Sequence, residues 1–410
     1  MNQASNAYRW NILVLLMLSQ VIAYVDRVNI SVVGPELIRS HGYTPALMGT
    51  LISIFNWAFT ASLLLAGPVT DWVKPKTALP LGVGTWSLAT LLCSTTVAFT
   101  PLAVFRALVG VGESSMIPSG SRVIRETFDK KNRALVVATF FAGNRMGLSI
   151  GNILAAFVLV YWGWSAVYYV TGALGLFWLA WWLAVYRPPP RPAEPAETEN
   201  HIRWATLLRY RTTWGVMLGQ SGYLYIYYVF AAWLPGYLVI ERGMTAMTTG
   251  YIGMLTFLLG TVCVIGGGWL GDLLIARTGK VTAIRKSFAV GGLFAATLFT
   301  VALAYADSTN FAVAMMMLAV ASFSFTTGAA NSMPIDVAPK HIVSSLVSLQ
   351  NFGGNVGGSF APVVTGFLVM LSGDFTLPLL VAAGVALVFG CGSYGFIVGD
   401  LDRELQRSPA

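Results

Sequence analysis

Five ionisable residues stand inside apolar stretches of this chain: Asp26, Arg27, Arg106, Glu113 and Arg145. Of 17 Asp and Glu residues, all but Asp26 and Glu113 fall at the ends of hydrophobic segments, in loops or in tails. His41, His201 and His341 also lie outside the apolar segments. A charge at the centre of a bilayer costs about 2.5–3.5 kcal/mol on insertion scales, so such residues are functional candidates by default. Two of the five can exchange protons and three carry fixed positive charge. That is chemistry for holding an anion and moving a proton. A nucleophile–base constellation and a buried metal set are both missing from the pattern. The expectation is therefore no catalytic residue, no metal and no cofactor, with the proton as coupling ion.

The spacing separates the roles. Arg106 and Glu113 are seven residues apart, so they share one face of a helix at about 10.5 Å along its axis. Asp26 and Arg27 are adjacent and diverge by about 100°. Arg27 can present a planar fork to a carboxylate. Asp26 can lie to one side and exchange a proton, since burial disfavours a charged acid and a nearby Arg favours it. With both acids ionised the five groups sum to +1, and a bound monoanion neutralises them. The alternative for Arg106 and Glu113 is a static pair that only fixes helix packing. Tyr24, Asn144, Gln220, Tyr227 and Asn355 are polar side chains in apolar segments. They suit either substrate oxygens or helix–helix hydrogen bonds. Arg145, beside Asn144, suits a second carboxylate or Glu113. Gly143, Gly147 and Gly151 form a small-residue ridge, read as close packing.

The elements that carry these residues are membrane spans. Of 410 residues, 56% are hydrophobic and 10% charged, against about 25% charged in soluble domains. Twelve spans are expected, at 10–33, 47–70, 77–97, 100–124, 134–158, 163–186, 212–238, 247–270, 284–305, 309–333, 342–370 and 375–398. The first is long and charged, and reads as a retained helix, not a signal sequence. The Pro-rich stretch from Arg187 to Asn200 is a linker, followed by a short amphipathic helix near 203–211. The expected organisation is an N-terminal six-helix bundle at 1–187, a cytoplasmic linker at 188–211 and a C-terminal six-helix bundle at 212–410. Of 25 Lys and Arg, all but Arg27, Arg39, Arg106, Arg145 and Arg242 lie on the side that holds both termini. That places the termini in the cytoplasm. The net charge of +8 thus reports topology, and no nucleic-acid partner is expected. Cys93, Cys263 and Cys391 lie in apolar segments without metal spacing and read as small core residues.

The two halves echo each other. Gly67-Pro-Val-Thr-Asp71 follows the second span, and Gly268-Trp-Leu-Gly-Asp272 follows the eighth, 201 residues later. Gly143-Asn144-Arg-Met-Gly147 recurs as Gly354-Asn355-Val-Gly-Gly358, 211 residues later. Duplication with a midplane site between halves is the usual construction of secondary transporters. Here the chain resembles the major facilitator superfamily over nearly its whole length. The family's loop after the second span reads Gly-x-x-x-Asp-Arg/Lys-x-Gly-Arg-Arg/Lys. This chain keeps Gly67, Asp71 and Lys76 but departs at Trp72, Lys74 and Pro75. The resemblance implies an all-α membrane fold of two pseudo-symmetric bundles, with Gly67, Asp71, Gly268 and Asp272 at an inner gate; the structural alternative is Gly for close helix approach and Asp for a helix-end cap.

Tyr24-Val-Asp-Arg-Val-Asn29, Arg106-Ala-Leu-Val-Gly-Val-Gly-Glu113 and Trp233-Leu-Pro-Gly-Tyr-Leu238 resemble the anion:cation symporter branch, which includes bacterial sugar-acid permeases. The resemblance implies Asp26 and Glu113 as protonation sites, Arg106 as partner to Glu113 and Arg27 as the anion holder. It also tips Asn144 and Asn355 toward substrate binding, with Tyr24, Gln220 and Tyr227 as further candidates and Arg145 open between a second substrate carboxylate and Glu113. Phe59 stands where sugar-acid carriers of this branch tend to have tyrosine, which admits dicarboxylates or aromatic acids. The expected function is proton-coupled import of a small carboxylate by a monomer in a bacterial inner membrane. A facilitator, an exporter and a transporter-like sensor are the alternatives. Export is disfavoured because residues 143–151 contain no proline.

Overall fold

The computed structural model describes residues 6–73, 75–128, 133–187, 204–338, 342–399, 401 and 404. Among them there is helix and no strand. In order the helices are α1 (Asn6–His41), α2 (Pro45–Val73), α3 (Pro75–Cys93), α4 (Phe99–Ser114), α5 (Met116–Thr127), α6 (Arg133–Val185) and α7 (Trp204–Leu207). There follow α8 (Arg211–Gly236), α9 (Ala246–Thr278), α10 (Val281–Ala304), α11 (Thr309–Val337), α12 (Val343–Ser359), α13 (Ala361–Ser372) and α14 (Thr376–Val385). Helices α8 and α14 continue into π-helical turns at Tyr237–Glu241 and Ala386–Cys391.

Nine helical stretches among the described residues are long and apolar enough to cross a membrane. One of them, within α6, is two spans joined at Gly163, whose φ of 83° only glycine adopts readily. Thr77–Cys93 adds a shorter apolar helix. The fourth expected span is α4 and α5, broken at Ser115. Several helices overrun their apolar cores: α1 reaches His41 and α9 reaches Thr278. The helical ladder continues into polar surroundings, where hydropathy no longer marks it.

The chain falls into two compact units, Met1–Pro195 with Leu234–Leu255, and Ala196–Trp233 with Thr256–Ala410. The stretch Leu234–Leu255 packs with the first unit. Ser149 donates to the Met254 carbonyl at 3.0 Å and Arg39 to the Val239 carbonyl at 3.2 Å. The expected linker lies mostly outside the described residues. Of the amphipathic helix expected near 203–211, the described residues form only the single turn of α7 before α8 begins.

In the first unit the glycine ridge does what its spacing suggests. A Cβ on Gly143 would lie 2.5 Å from the Met17 carbonyl, and one on Gly147 would lie 2.5 Å from the Val21 carbonyl. Helix α6 therefore sits directly on the backbone of α1, the helix of Asp26 and Arg27. Gly110 plays the same part for α4, where a Cβ would meet the Phe55 carbonyl at 2.4 Å. Trp86, Trp178 and Trp182 fill the adjoining core, and Trp178 Nε1 donates to the Leu15 carbonyl. The second unit repeats the device: Gly354 and Gly357 of α12 abut Gln220 and Ser221 of α8.

Candidate functional site

Asp26 and Glu113 are completely buried and Arg106 is 2% exposed. Arg27 is the accessible member of the four, with its side chain 14% exposed. Its Nε donates to Glu113 Oε2 at 2.7 Å. Three rings surround its guanidinium, with centroids at 4.5 Å for Tyr24, 5.2 Å for Phe55 and 4.7 Å for Phe59. Phe55 also faces Arg106, whose guanidinium carbon lies 4.9 Å from the same ring centroid. Aromatic faces stabilise a desolvated cation and leave the fork's edges for an anion.

The partner of Glu113 differs from the expectation. The i, i+7 spacing keeps Arg106 and Glu113 about two turns apart, and the ion pair found is Arg27–Glu113. Arg106 Nε has no hydrogen-bond partner among the described residues. Asp26 diverges from Arg27 by about 100°, as adjacent helical residues do. Asn29 Nδ2 lies 3.3 Å from its Oδ1 and donates to Thr171 Oγ1 at 2.6 Å. Asp26 Oδ2 and Glu113 Oε1 have no hydrogen-bond partner among the described residues.

Asn144 and Arg145, on α6, are half-buried, and Asn144 Oδ1 has no hydrogen-bond partner among the described residues. Asn355 is likewise half-buried, against the expectation of a buried amide. It is satisfied inside the second unit: Oδ1 accepts from the Tyr228 hydroxyl and Nδ2 donates to the Asn351 carbonyl, each at 2.9 Å. Gln220 is buried, accepting from Tyr394 at 2.8 Å and donating to Asn331 Oδ1 at 3.3 Å. The Tyr227 ring stacks on Tyr223, whose hydroxyl lies 2.8 Å from Thr327 Oγ1. Sequence reasoning missed Phe55, Thr171, Asn331 and Tyr394. Phe55 had a signal, since it stands one turn from Phe59 on one helix face.

At the expected gate, the side chains of Gly67 and Asp71 lie outside the described residues. Asp272 is 71% exposed and pairs with Arg285 at 2.9 Å. Arg285 also reaches Asp336 at 3.1 Å. At Gly268 an added Cβ would meet nothing within 4 Å, whereas one on Gly267 would lie 2.4 Å from the Phe325 carbonyl. Close helix approach thus belongs to Gly267. No group of three or more His, Cys, Asp or Glu among the described residues is placed to hold a metal.

A fold of apolar helices with charged residues buried inside it fits a membrane transporter. Residues 16–362 match the Major Facilitator Superfamily, and the chain belongs to that family. It is 30% identical over 403 residues to the "Probable L-galactonate transporter" of Escherichia coli K12, covering 94% of this chain and 88% of the relative. It is 29% identical over 423 residues to the "D-galactonate transporter" of Escherichia coli O6:H1, covering 96% of each. A bacterial homolog of the human lysosomal transporter Spinster shares the fold, with a TM-score of 0.82 at 19% identity. That match covers 99% of this chain and 100% of the other.

Proposed function

We propose that the chain imports a small organic carboxylate, with a sugar acid as leading candidate, by proton symport and alternating access. The observation that carries this reading is the Arg27–Glu113 pair, in which a partly exposed guanidinium is held by a fully buried acid. An incoming carboxylate competes with Glu113 for the same fork. A proton on Glu113 removes the competitor, so proton and substrate are taken up together. Asp26, buried beside Asn29, is the second protonation site, and Arg106 supplies fixed charge to both acids. The relatives named galactonate transporters support a hydroxylated monocarboxylate. Phe59, without a hydroxyl, keeps dicarboxylates and aromatic acids as the runner-up. Tyr24, Asn144, Arg145, Gln220, Tyr227 and Asn355 are the proposed substrate contacts, and Gly67, Asp71, Gly268 and Asp272 the inner-gate positions. The protein acts as a monomer in a bacterial inner membrane with both termini cytoplasmic.

The test is uptake of aldonates, hexuronates, aldarates, dicarboxylates and aromatic acids into proteoliposomes, with and without an inward proton gradient. Accumulation should follow the gradient. In Asp26→Asn accumulation should vanish while counterflow exchange survives. Uptake indifferent to the gradient would overturn symport.

A further inference from the structure

Beyond the four charged groups, the interior of the first unit holds a line of polar atoms that neither binding nor helix packing uses. Two close approaches fix the seam between α3 and the second half of α6. A Cβ on Gly172 would lie 2.9 Å from the Ser87 carbonyl, and Ser165 Oγ donates to the Ser94 carbonyl at 2.8 Å. These contacts bracket Tyr168 opposite the Thr90–Cys93 turn. Tyr168 is 1% exposed, Thr90 3% and Cys93 0%.

Neither the Tyr168 hydroxyl nor Thr90 Oγ1 has a hydrogen-bond partner among the described residues. A mid-helix threonine ordinarily bonds the carbonyl four residues back, as Thr171 does to Val167 at 3.1 Å. Asn29 Oδ1 and Asp26 Oδ2 are equally unsatisfied. Buried polar groups are nearly always paired, with ordered water where protein offers no partner. These four atoms lie on the helices α1, α3 and α6 of one unit.

The seam has a direction. Asp26 is joined to Asn29, and Asn29 to Thr171. Tyr168 stands one turn further along α6, about 4.5 Å toward the end that carries the α1–α2 turn. Tyr43, in the α1–α2 turn, marks that end, its hydroxyl donating to the Val97 carbonyl at 2.8 Å.

We propose that water ordered along the α1–α3–α6 seam, held by Asn29, Thr90, Tyr168 and Thr171, is the route by which Asp26 exchanges its proton with the α1–α2 end of the bundle. A proton entering there is relayed through hydroxyls and water to Asp26 Oδ2, and each relay atom donates one proton as it accepts another. The route is separate from the partly exposed Arg27 fork, so proton and anion use different doors. This inference rests on the symport reading.

The experiment compares gradient-driven uptake with counterflow for the unmutated protein, Tyr168→Phe, Thr90→Val and Thr90→Ser in proteoliposomes. The expected result is a gradient-driven rate at least about tenfold lower in Tyr168→Phe and Thr90→Val. Counterflow should stay within about twofold, and Thr90→Ser should restore the driven rate. If the unmutated protein is coupled and both variants match it, the route is overturned while symport stands. If both variants lose counterflow equally, or Thr90→Ser fails to rescue, the residues only pack and the route is overturned. Gradient-indifferent uptake by the unmutated protein would sink symport itself, and the route with it.

Discussion

Arg27 Nε and Glu113 Oε2 lie 2.7 Å apart although 86 residues separate them in sequence. The acid is wholly buried and the base 14% exposed, so the pair has an inner and an outer member. A static packing pair has no need of that asymmetry. A binding group that must be released has. Breaking a buried pair by deleting one partner costs about 3–5 kcal/mol, because a charge is left uncompensated.

Glu113→Gln should therefore separate binding from coupling. Arg27 stays, freed of its competitor, so counterflow persists and its KM becomes insensitive to pH. Gradient-driven accumulation should fall to the level seen without a gradient. Glu113→Ala should in addition lower the thermal midpoint in detergent, by the cost of the broken pair. A Glu113→Gln variant that still accumulates substrate would remove Glu113 from the coupling scheme.

Phe55 is shared by two guanidiniums, Arg27 and Arg106. Each cation–π contact contributes about 0.5–2 kcal/mol according to desolvation. Phe55→Leu should raise KM for the carboxylate by about five- to thirtyfold, equivalent to about 1–2 kcal/mol. Phe55→Tyr, which keeps the ring face, should stay close to the unmutated protein. Equal KM in all three would mean that the rings only fill space.

Gly147 offers a stability test with a built-in control. A Cβ there would lie 2.5 Å from the Val21 carbonyl and 2.6 Å from Tyr24 Cβ, both parts of α1 that cannot swing aside. Gly147→Ala should destabilise by about 1–3 kcal/mol, the usual cost of overpacking, and should disturb Tyr24 under Arg27. Gly291 of α10 has nothing within 4 Å of an added Cβ. Gly291→Ala should stabilise its helix by about 0.5–1 kcal/mol. Thermal unfolding in detergent reads both, and similar midpoints would contradict the packing argument.

These residues also show what was legible in sequence. Asp26 and Glu113 stood out because acids in apolar runs are rare, and both are fully buried. The Gly143–Gly147–Gly151 ridge was legible because helix periodicity puts all three on one face. The partner of Glu113 was not, since spacing within α4 says nothing about which neighbouring helix brings a cation close. Thr171 and Tyr168 were equally silent, and Asn29 entered only as the end of a motif. Thr and Tyr are common in membrane helices, and only the packing of α1 against α6 makes these a set. Helix ends such as His41 were missed because hydropathy stops at the apolar core while the backbone ladder runs on.

The second unit supplies a further test through Tyr394, Gln220 and Asn331. Tyr394 is fully buried and donates to Gln220 Oε1 at 2.8 Å, while Gln220 Nε2 donates to Asn331 Oδ1 at 3.3 Å. Gln350 Nε2 approaches the same tyrosine hydroxyl at 3.5 Å and holds the Ala330 carbonyl at 2.8 Å. Gln220 is thus oriented from below, and Asn331 is the exposed end of the chain. Tyr394→Phe leaves the Gln220 carbonyl buried without its donor, which costs about 1–3 kcal/mol. That variant should unfold at lower temperature and bind hydroxylated acids more weakly, with less effect on acids that lack hydroxyls. Gln220→Leu removes the group that Tyr394 orients. The double variant should therefore cost less than the two single costs added, with a coupling of about 0.5–3 kcal/mol. Strict additivity in thermal unfolding and in KM would show that Tyr394 and Gln220 act independently, and would remove the second unit's polar chain from substrate selection.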